Sequence, residues 1–254
     1  MQNYSVIHQN LNKWLVDYLE KSGLECFIIG VSGGIDSALV STLCAETGKK
    51  THIFNIPIVS SEKNTSLSKL HCDWLLKTYS NVEYHLCDLT NVYSKFIDSI
   101  LDIPKDQLAC ANTKSRLRMV LLYQYATTLK GLVVGTGNKI EDFGVGFYTK
   151  YGDGGVDISP IADFTKTEVR EFAKFLNVSK EILLAPPTDG LWEDNRTDEN
   201  QIGASYEELE WAMDYIDNNK NQVLTEREKQ VIDIFKSYRK KNSHKMISIP
   251  IFKK

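Results

Sequence analysis

Short apolar runs alternate along the chain with longer segments whose apolar positions repeat at helical spacing. The first long segment, with Ile7, Leu11 and Leu19 on one face, predicts a helix that ends near Gly23. A compact apolar run over 26–31 follows and predicts a buried strand. The same patterns predict, in chain order, a helix through 38–44, a strand at 51–58, a helix at 62–78, a strand at 82–87, helices near 90–100 and 112–129, and a strand at 132–135.

Strands separated by helix-length connections predict parallel pairing, because a parallel neighbour is reached only through a crossover. Right-handed crossovers then give an α/β fold, a doubly wound parallel sheet with helices on both faces and a helical C-terminal extension. Capping boxes predict the starts of three later helices, and they pair Thr165 with Glu168, Ser205 with Glu208, and Thr225 with Glu228. We expect residues 1–254 to form a single domain that binds ligands at the carboxyl ends of its strands.

Two long segments interrupt this alternation. Residues 144–155 are rich in glycine and aromatic residues, and residues 185–203 are polar and contain two adjacent prolines. Loops of this length in a compact enzyme are generally functional or disordered. We expect both to be mobile in the free protein and to gain order over a bound ligand, whose contacts offset the lost conformational entropy. The alternative is that Tyr148, Tyr151 and Trp192 already fix them to the body of the protein.

The overall composition is that of an ordinary globular protein, with 42% apolar and 25% charged residues. A net charge of −3 gives no sign of a nucleic-acid partner, although it leaves a local basic patch open. Residues 1–14 contain no basic region followed by an apolar run, and no apolar run approaches the length of a membrane span. We therefore expect a cytoplasmic protein that binds neither membranes nor nucleic acid.

Five cysteines are spread along the chain without a C-x-x-C pair. This odd number favours reduced, mostly buried thiols over a disulfide framework. A metal site built from His71, Cys72, His85 and Cys87 is the alternative, but their spacing matches no zinc pattern. We expect thiols that pack in the core.

The strongest chemical signal is the hexapeptide Ser32-Gly33-Gly34-Ile35-Asp36-Ser37, which follows the first strand and opens a helix. Its glycines let the backbone approach a ligand closely, and successive N–H groups at a helix N-terminus attract phosphate oxygens. The phosphate-binding pattern G-x-x-x-x-G-K-[ST] does not apply, because its lysine is missing here. Since Asp36 would repel a bare phosphate, we expect Mg²⁺ between the two. A plain strand-to-helix turn with Asp36 near the N-cap is the alternative.

The hexapeptide identifies the chain as a member of the ATP pyrophosphatases, enzymes that cleave ATP between the α and β phosphates. A later region resembles the NAD synthetases of that group, and the ammonia-dependent ones in particular. Residues 135–141 read GTGNKIE and residues 148–157 read YTKYGDGGVD, close to the family pattern GT-x-N-K-x-E followed by T-K-Y-G-D-G-G-x-D. The connection from Glu141 to Lys150 exceeds that pattern by one residue.

Further matches extend the resemblance to about residues 5–252 and preserve the order of the family's motifs. Residues 112–119 read NTKSRLRM, residues 187–192 read PTDGLW, and residues 244–245 are the dipeptide HK. Two alternatives apply locally: Arg116 and Arg118 could lie on a solvated helix face, and the basic stretch 239–245 could be disordered.

The resemblance implies roles for individual residues. The ATP-binding loop and its edges comprise Gly30, Val31, Ser32, Gly33, Gly34, Ile35, Asp36 and Ser37. Further ATP contacts are implied for Thr136, Lys166 and Thr188. Contacts with deamido-NAD are implied for Arg116, Lys150, Asp157, His244 and Lys245. Asp36 and Glu141 are implied as the catalytic carboxylates that ligate Mg²⁺.

The implied activity is that of a ligase, the ATP-dependent amidation of deamido-NAD to NAD in the last step of NAD biosynthesis. The nicotinate carboxylate attacks the α-phosphorus of ATP to give an NAD-adenylate and pyrophosphate, and ammonia then displaces AMP. Such chemistry needs positioning and charge neutralisation rather than a protein nucleophile. We expect free ammonia as the nitrogen donor, because the chain has room for the synthetase alone, and the family implies a homodimer.

Three other functions compete with this interpretation. GMP synthetase shares the hexapeptide but has a separate C-terminal dimerisation domain, and the run T-K-Y-G-D-G-G speaks against it. A tRNA-modifying relative would need a basic surface or paired catalytic cysteines. A catalytically silent nucleotide sensor is disfavoured because both presumptive metal carboxylates, Asp36 and Glu141, are present.

Overall fold

A computed structural model describes residues 3–59, 62–100, 106–188, 196–218 and 223–254. The strands of this part of the chain are β1 Cys26–Gly30, β2 Lys50–Asn55, β3 Val82–Leu86 and β4 Gly131–Val133. The α-helices are α1 Tyr4–Lys21, α2 Ile35–Glu46, α3 Glu62–Thr78, α4 Thr90–Ser99, α5 Gln107–Leu129, α6 Lys166–Phe175, α7 Lys180–Leu183, α8 Asp198–Ile202, α9 Tyr206–Asp217 and α10 Glu226–Met246. A π-helix covers Ile140–Val145.

The strands form a parallel sheet in the order β3-β2-β1-β4. The chain winds outwards from β1 through β2 to β3 and then returns to place β4 on the opposite side of β1. The winding direction therefore reverses between β1 and β4. In doubly wound sheets such a reversal opens a crevice at the carboxyl ends of the two strands, where ligands bind.

Alternate side chains of β1 enter two different apolar layers, as expected for a strand buried on both faces. Phe27 and Ile29 pack on one face in a core that also contains side chains of α1, α2 and α6. Cys26 and Ile28 pack on the other face against Leu122 and its neighbours on α5. Helices therefore cover both faces of the sheet, which confirms the predicted doubly wound α/β architecture.

The C-terminal helices have an apolar cluster of their own. Tyr206 of α9 and Phe235 of α10 are fully buried in it, together with Ile140 of the π-helix. All three predicted capping boxes are present at the starts of α6, α9 and α10. The last of these helices continues to Met246, so the stretch 239–245 is helical rather than a disordered tail.

Both segments predicted as loops contain helical residues within the part of the chain that the structure describes. Residues 144–155 begin inside the π-helix, and residues 185–203 include α8. Residues 189–195 of the second segment, Trp192 among them, lie outside the described residues.

All five cysteines are free thiols, with Cys26, Cys44 and Cys72 buried and the other two half-buried. The expectation of reduced, mostly buried thiols is therefore confirmed. Within the described ranges, none of the helices combines the length and apolar character needed to cross a membrane.

Candidate active site

The hexapeptide after β1 forms a tight loop at the switch point of the sheet. Gly33 has a φ of +90°, a conformation that glycine adopts without steric cost. The Ser37 hydroxyl accepts a hydrogen bond from the Ser32 N–H and donates one to the Gly34 carbonyl, which closes the loop on the first turn of α2. No side chain caps the N-terminus of α2. Its first-turn N–H groups and the helix dipole therefore favour an anion here.

Two acidic residues converge on one buried ammonium beside this loop. Lys166 Nζ donates to Asp36 Oδ2 at 2.5 Å and to Glu141 Oε1 at 3.1 Å. The Lys166 side chain is only 3% exposed, whereas those of Asp36 and Glu141 are 15% and 17% exposed. The ammonium is thus sealed from solvent while both carboxylates border the cleft.

Secondary structure fixes each member of this triangle. Asp36 lies in the first turn of α2, Lys166 is the first residue of α6, and Glu141 lies in the first turn of the π-helix. Asn138, which is fully buried, donates from its amide to Asp36 Oδ1 at 3.2 Å. Its own amide oxygen accepts from the N–H groups of Ile140 and Glu141, so one side chain links the two acidic elements.

Tyr206, the first residue of α9, completes the surroundings of Glu141. Its hydroxyl donates to Glu141 Oε1 at 2.5 Å and lies 3.3 Å from Asp198 Oδ2. Burial and the charges of Glu141 and Asp198 raise the pKa of Tyr206, so the hydroxyl remains a proton donor. The ring also lies 4.7 Å below the Lys166 ammonium.

Burial and neighbouring charges act in opposite directions on the ionisable groups of this site. Burial opposes the charged form of Lys166, but Asp36 and Glu141 outweigh it and raise the lysine pKa. Burial raises the pKa of Glu141, and the Lys166 charge partly opposes that rise. Lys166 is therefore a permanent cation at neutral pH, with carboxylates as its counter-charges.

The π-helix Ile140–Val145 overlaps the connection from Glu141 to Lys150, which exceeds the family pattern by one residue. A single extra residue inside a helix is accommodated by the wider π turn, and such turns are frequent at functional sites. The turn places both Glu141 and Asp142 on the cleft. Burial and, after it, the nearby carboxylates raise the pKa of Asp142 to about 8. A side chain at Gly137 would collide with the Asp142 carboxylate, so glycine leaves room for this second acid.

The segment 144–155 is hydrogen-bonded to two helices. Asp153 accepts from the Ser115 hydroxyl of α5 at 2.7 Å and from the Thr149 N–H at 3.0 Å. The Thr149 hydroxyl donates to Asn112 of α5, also at 2.7 Å. From the other side, Lys245 of α10 donates to the carbonyls of 146 and 148, each at 2.7 Å. These contacts form one wall of the cleft.

One cleft of about 990 Å³ joins the loop, the carboxylate triangle and this wall. Nearly all of the residues predicted for the site line it. They are Gly30, Val31, Ser32, Gly33, Gly34, Ile35, Asp36, Ser37, Arg116, Thr136, Glu141, Lys150, Lys166, Thr188, His244 and Lys245.

Asp157 is the exception among the predicted residues, because it does not line the cleft. Its carboxylate accepts from the Val133 N–H at 2.8 Å and from the Tyr123 hydroxyl at 3.0 Å. The side chain is therefore occupied at the end of β4. Asp157 is thus the one residue with an implied ligand contact that lies outside this cleft, and its contact with deamido-NAD stays a prediction.

Basic side chains surround the far side of the cleft. Arg116 of α5 lines it and donates through Nε to the Lys150 carbonyl, so α5 is not merely a solvated helix face here. Lys150 Nζ donates to the carbonyl of His244 at 2.8 Å. Burial lowers the pKa of Lys245. Arg118, which was expected only as part of the family pattern, also lines the cleft and donates to the Ile56 carbonyl.

Several site residues were not singled out from the sequence: Asn138, Asp142, Asp198 and Tyr206. Asn138 stands inside the pattern GT-x-N-K-x-E, and its place in that pattern, close to the predicted metal ligand Glu141, was the available signal. Tyr206 follows the Ser205 capping residue, which predicts only that a helix starts there. Its contact with Glu141 spans 65 residues of sequence and has no local signature.

The alternative metal site of His71, Cys72, His85 and Cys87 is wrong for the described residues. His71 is buried against the Ser41 hydroxyl at 3.0 Å, and His85 instead faces His52 across the sheet. Among the described His, Cys, Asp and Glu side chains, the four are not brought within ligand distance of one another.

Comparison with known proteins agrees with this geometry. A family model described as NAD synthase matches residues 7–248. The NH₃-dependent NAD⁺ synthetase of Methanosarcina acetivorans is 38% identical over 208 residues, which are 80% of this chain and 78% of the relative. That of Carboxydothermus hydrogenoformans is 33% identical over 247 residues, with 96% of this chain and 95% of the relative covered.

Solved structures share the fold over its whole length. An NMN synthetase from Francisella tularensis superposes with a TM-score of 0.88 at 30% identity, covering 99% of each chain. An NH₃-dependent NAD synthetase from Campylobacter jejuni, in complex with nitrate, gives a TM-score of 0.82 at 25% identity and covers 100% of each chain. The family model and these relatives span nearly all of the elements that build the cleft, and the chain belongs to the NAD synthase family.

Proposed function

We propose that the chain catalyses the ATP-dependent amidation of deamido-NAD with ammonia, which yields NAD, AMP and pyrophosphate. In the first step an oxygen of the nicotinate carboxylate bonds to the α-phosphorus of ATP, and the bond to the β-phosphate oxygen breaks. In the second step the ammonia nitrogen bonds to the acyl carbon, AMP leaves with the electron pair, and the nitrogen loses a proton. The curated relatives, which make NAD with ammonia, support this assignment.

One observation carries the proposal: an anion-binding loop and two converging carboxylates meet at the switch point of the sheet. The N-terminus of α2, which has no side-chain cap, offers its first-turn N–H groups to the pyrophosphate that leaves ATP. Asp36 and Glu141 lie beside it and converge on the Lys166 ammonium. The triphosphate carries several negative charges, so acidic residues fit here only together with cations.

The residues present fit a magnesium ion. The facing oxygens of Asp36 and Glu141 already share one cation, at 2.5 and 3.1 Å, and carboxylate oxygens are the ligands that Mg²⁺ prefers. We propose that these two carboxylates hold it together with phosphate oxygens and water. When bound, the ion neutralises charge on the triphosphate and polarises the phosphoryl group. Tyr206 and Asn138 hold the two carboxylates in place through hydrogen bonds.

The remaining cations of the cleft position the second nucleotide. We propose that deamido-NAD is contacted by Arg116, Lys150, His244 and Lys245 of the cleft and by Asp157 outside it. We propose that ATP is contacted by Thr136, Lys166 and Thr188. Arginine and lysine suit this task because two nucleotides bring together roughly four to six phosphate charges. The wall 146–155 encloses the cleft and excludes water from the hydrolysable acyl-adenylate.

A product assay with purified protein tests the reaction. Deamido-NAD, ATP, Mg²⁺ and ammonium are expected to give NAD, AMP and pyrophosphate in equal amounts, and glutamine is expected not to replace ammonium. Release of ADP and phosphate instead would reject adenylation. Comparable NAD formation from glutamine, with contaminating ammonia removed, would reject ammonia as the donor.

A mononucleotide substrate is the second candidate, and likeness to the Francisella tularensis NMN synthetase favours it. The same chemistry would then convert nicotinate mononucleotide to NMN. Measurement of kcat/KM for both acceptors separates the candidates. A higher kcat/KM for deamido-NAD supports deamido-NAD as the substrate. A kcat/KM at least tenfold higher for the mononucleotide would reject deamido-NAD in favour of the mononucleotide.

We further propose that the protein is a homodimer that functions in the cytoplasm. Exposed apolar side chains on α4 and α5 support a subunit interface, among them Val92 at 51%, Phe96 at 44% and Val120 at 67%. Free thiols suit a reducing compartment. Light scattering tests the assembly: wild type is expected at twice the chain mass, and Val120→Glu is expected to shift it towards the monomer. A monomeric wild type at micromolar concentration would reject the dimer.

A further inference from the structure

A second cluster of metal-ligating side chains lies on the sheet, outside the residues that line the cleft. His52 of β2 is paired in register with Glu83 of β3, and His85 lies two residues further along β3. Because side chains alternate along a strand, Glu83 and His85 share a face of the sheet with His52. The His52 side chain is 6% exposed, that of His85 is 18% exposed and that of Glu83 is 48% exposed. The cluster therefore has a buried floor and one open side.

The ligand atoms of the three side chains point towards one another. His52 Nδ1 lies 3.0 Å from His85 Nε2. Glu83 Oε1 lies 3.6 Å from His85 Nε2, and Glu83 Oε2 lies 4.0 Å from His52 Nδ1. In a tetrahedral zinc site with bonds of about 2.0–2.1 Å, neighbouring ligand atoms are about 3.3 Å apart. The distances from His85 to His52 and to Glu83 differ from that value by a few tenths of an ångström. Rotation of the half-exposed Glu83 side chain shortens its longer distance to His52.

Neighbouring aromatic rings orient His85, and metal-ligating imidazoles are generally held in place in this way by the residues around them. The His85 ring stacks on Phe54 with 4.5 Å between centroids, and its centroid lies 5.3 Å from that of the Tyr125 ring. These rings restrict the rotation of His85 and leave Nε2 directed at His52.

We propose that His52, His85 and Glu83 form a binding site for a borderline divalent transition metal of the Zn²⁺ class, with water as the fourth ligand. Imidazole and carboxylate donors suit such ions better than Mg²⁺, which prefers oxygen ligands throughout. A bound ion joins β2 to the edge strand β3. The site is separate from the proposed catalytic carboxylates, since none of its three residues lines the cleft.

Lys50 provides an internal test of this site. Its ammonium lies 2.7 Å from Glu83 Oε2 and competes for the carboxylate that the metal needs. Removal of that ammonium frees Glu83 and takes away a positive charge beside the ion. Lys50→Gln is therefore expected to strengthen metal binding, whereas substitution of a ligand weakens it. A shared proton between two histidines, the alternative to a metal site, predicts neither change.

The experiment titrates the metal-free full-length protein with Co²⁺ and with Zn²⁺ and follows the Co²⁺ absorption spectrum and calorimetric heat. One equivalent is expected to bind with a tetrahedral cobalt spectrum that lacks a thiolate charge-transfer band. His85→Asn and Glu83→Gln are expected to weaken binding tenfold or more, and Lys50→Gln to tighten it severalfold. Because the Glu83 side chain is half-exposed, Glu83→Gln is expected to fold as wild type does. It therefore tests the site even where a histidine variant folds poorly.

Two matched controls locate the ion. Glu141→Gln removes a proposed magnesium ligand, and Cys87→Ser removes a half-buried thiol near the end of β3. Both are expected to bind Zn²⁺ as wild type does. Binding that is unchanged in Glu83→Gln and His85→Asn, or that is lost in either control, overturns the proposed site.

Discussion

Replacement of Lys166 by methionine removes the ammonium that Asp36 and Glu141 share and leaves their carboxylates facing each other. Loss of one partner of a buried ion pair generally costs about 3–5 kcal/mol, because the remaining charge is uncompensated. Both carboxylates are about one-sixth exposed, at 15% and 17%, and keep part of their hydration. Asn138 and Tyr206 still donate to them. We therefore expect the lower end of the range, about 3 kcal/mol.

Urea denaturation in EDTA without nucleotide measures this loss. Millimolar Mg²⁺ is then expected to restore part of the stability of Lys166→Met, since the freed carboxylates bind the ion; a concentration of about ten times Kd returns about 1.4 kcal/mol. Wild type without nucleotide is expected to respond much less, because the Lys166 ammonium already neutralises both carboxylates and no phosphate oxygens are present to complete the magnesium site. Lys139→Met is the matched control. Lys139 pairs with Asp163 at the surface. Its replacement should therefore lower the free energy of unfolding by at most about 1 kcal/mol and give no magnesium response.

Two outcomes would refute this reasoning. A Lys166→Met protein as stable as wild type would show that the lysine does not neutralise the pair. Equal stabilisation of wild type and variant by Mg²⁺ would show that the ion binds elsewhere.

Three further predictions follow from the site. Tyr206→Phe removes a hydrogen bond to the charged Glu141, worth about 1.5–3 kcal/mol. The rate of adenylation should therefore fall about tenfold and the KM for Mg²⁺ should rise, whereas Tyr215→Phe on the same helix should leave both unchanged. Asp142 has a pKa of about 8 in the folded chain and about 4 when unfolded, so its contribution to stability is present below pH 4 and is lost as pH rises to 8. The stability of Asp142→Asn relative to wild type, from urea curves in EDTA, should then rise by about 1.4 kcal/mol per pH unit within that window, and parallel pH profiles would contradict it. Hydrogen exchange should find residues 147–155 protected without ligand, because they are bonded to α5 and α10; a large increase in protection with ATP, Mg²⁺ and deamido-NAD would restore the mobile-loop hypothesis.

Local patterns were sufficient where function depends on consecutive residues. The loop 32–37 was predictable because a strand, two glycines and a helix start are all visible in one short stretch. Capping boxes likewise predicted the start of α6, and so placed Lys166 at a helix N-terminus. The excess residue after Glu141 was visible too, but no local pattern predicted the π-helix, whose Ile140 and Val145 pack in one cluster with side chains of α9 and α10.

Sequence patterns did not predict the contacts between segments that lie far apart along the chain. Lys166 and Asp36 are 130 residues apart in the sequence, and no periodic pattern predicts that their side chains are in contact. The resemblance supplied Asp36, Glu141 and Lys166 as separate positions, and only the fold brings them to one point. The hydrogen bonds of Asp157 to the Val133 N–H and the Tyr123 hydroxyl are a further example, because no local pattern predicted either contact.

The exchange of labelled pyrophosphate into ATP, measured without ammonia, tests adenylation at the Asp36 site most directly. Exchange is predicted to require both deamido-NAD and Mg²⁺ and to be lost in Asp36→Asn, whose fold, monitored by circular dichroism, should remain intact. Exchange that proceeds without deamido-NAD, or an Asp36→Asn rate within a few-fold of wild type at saturating Mg²⁺, would contradict it.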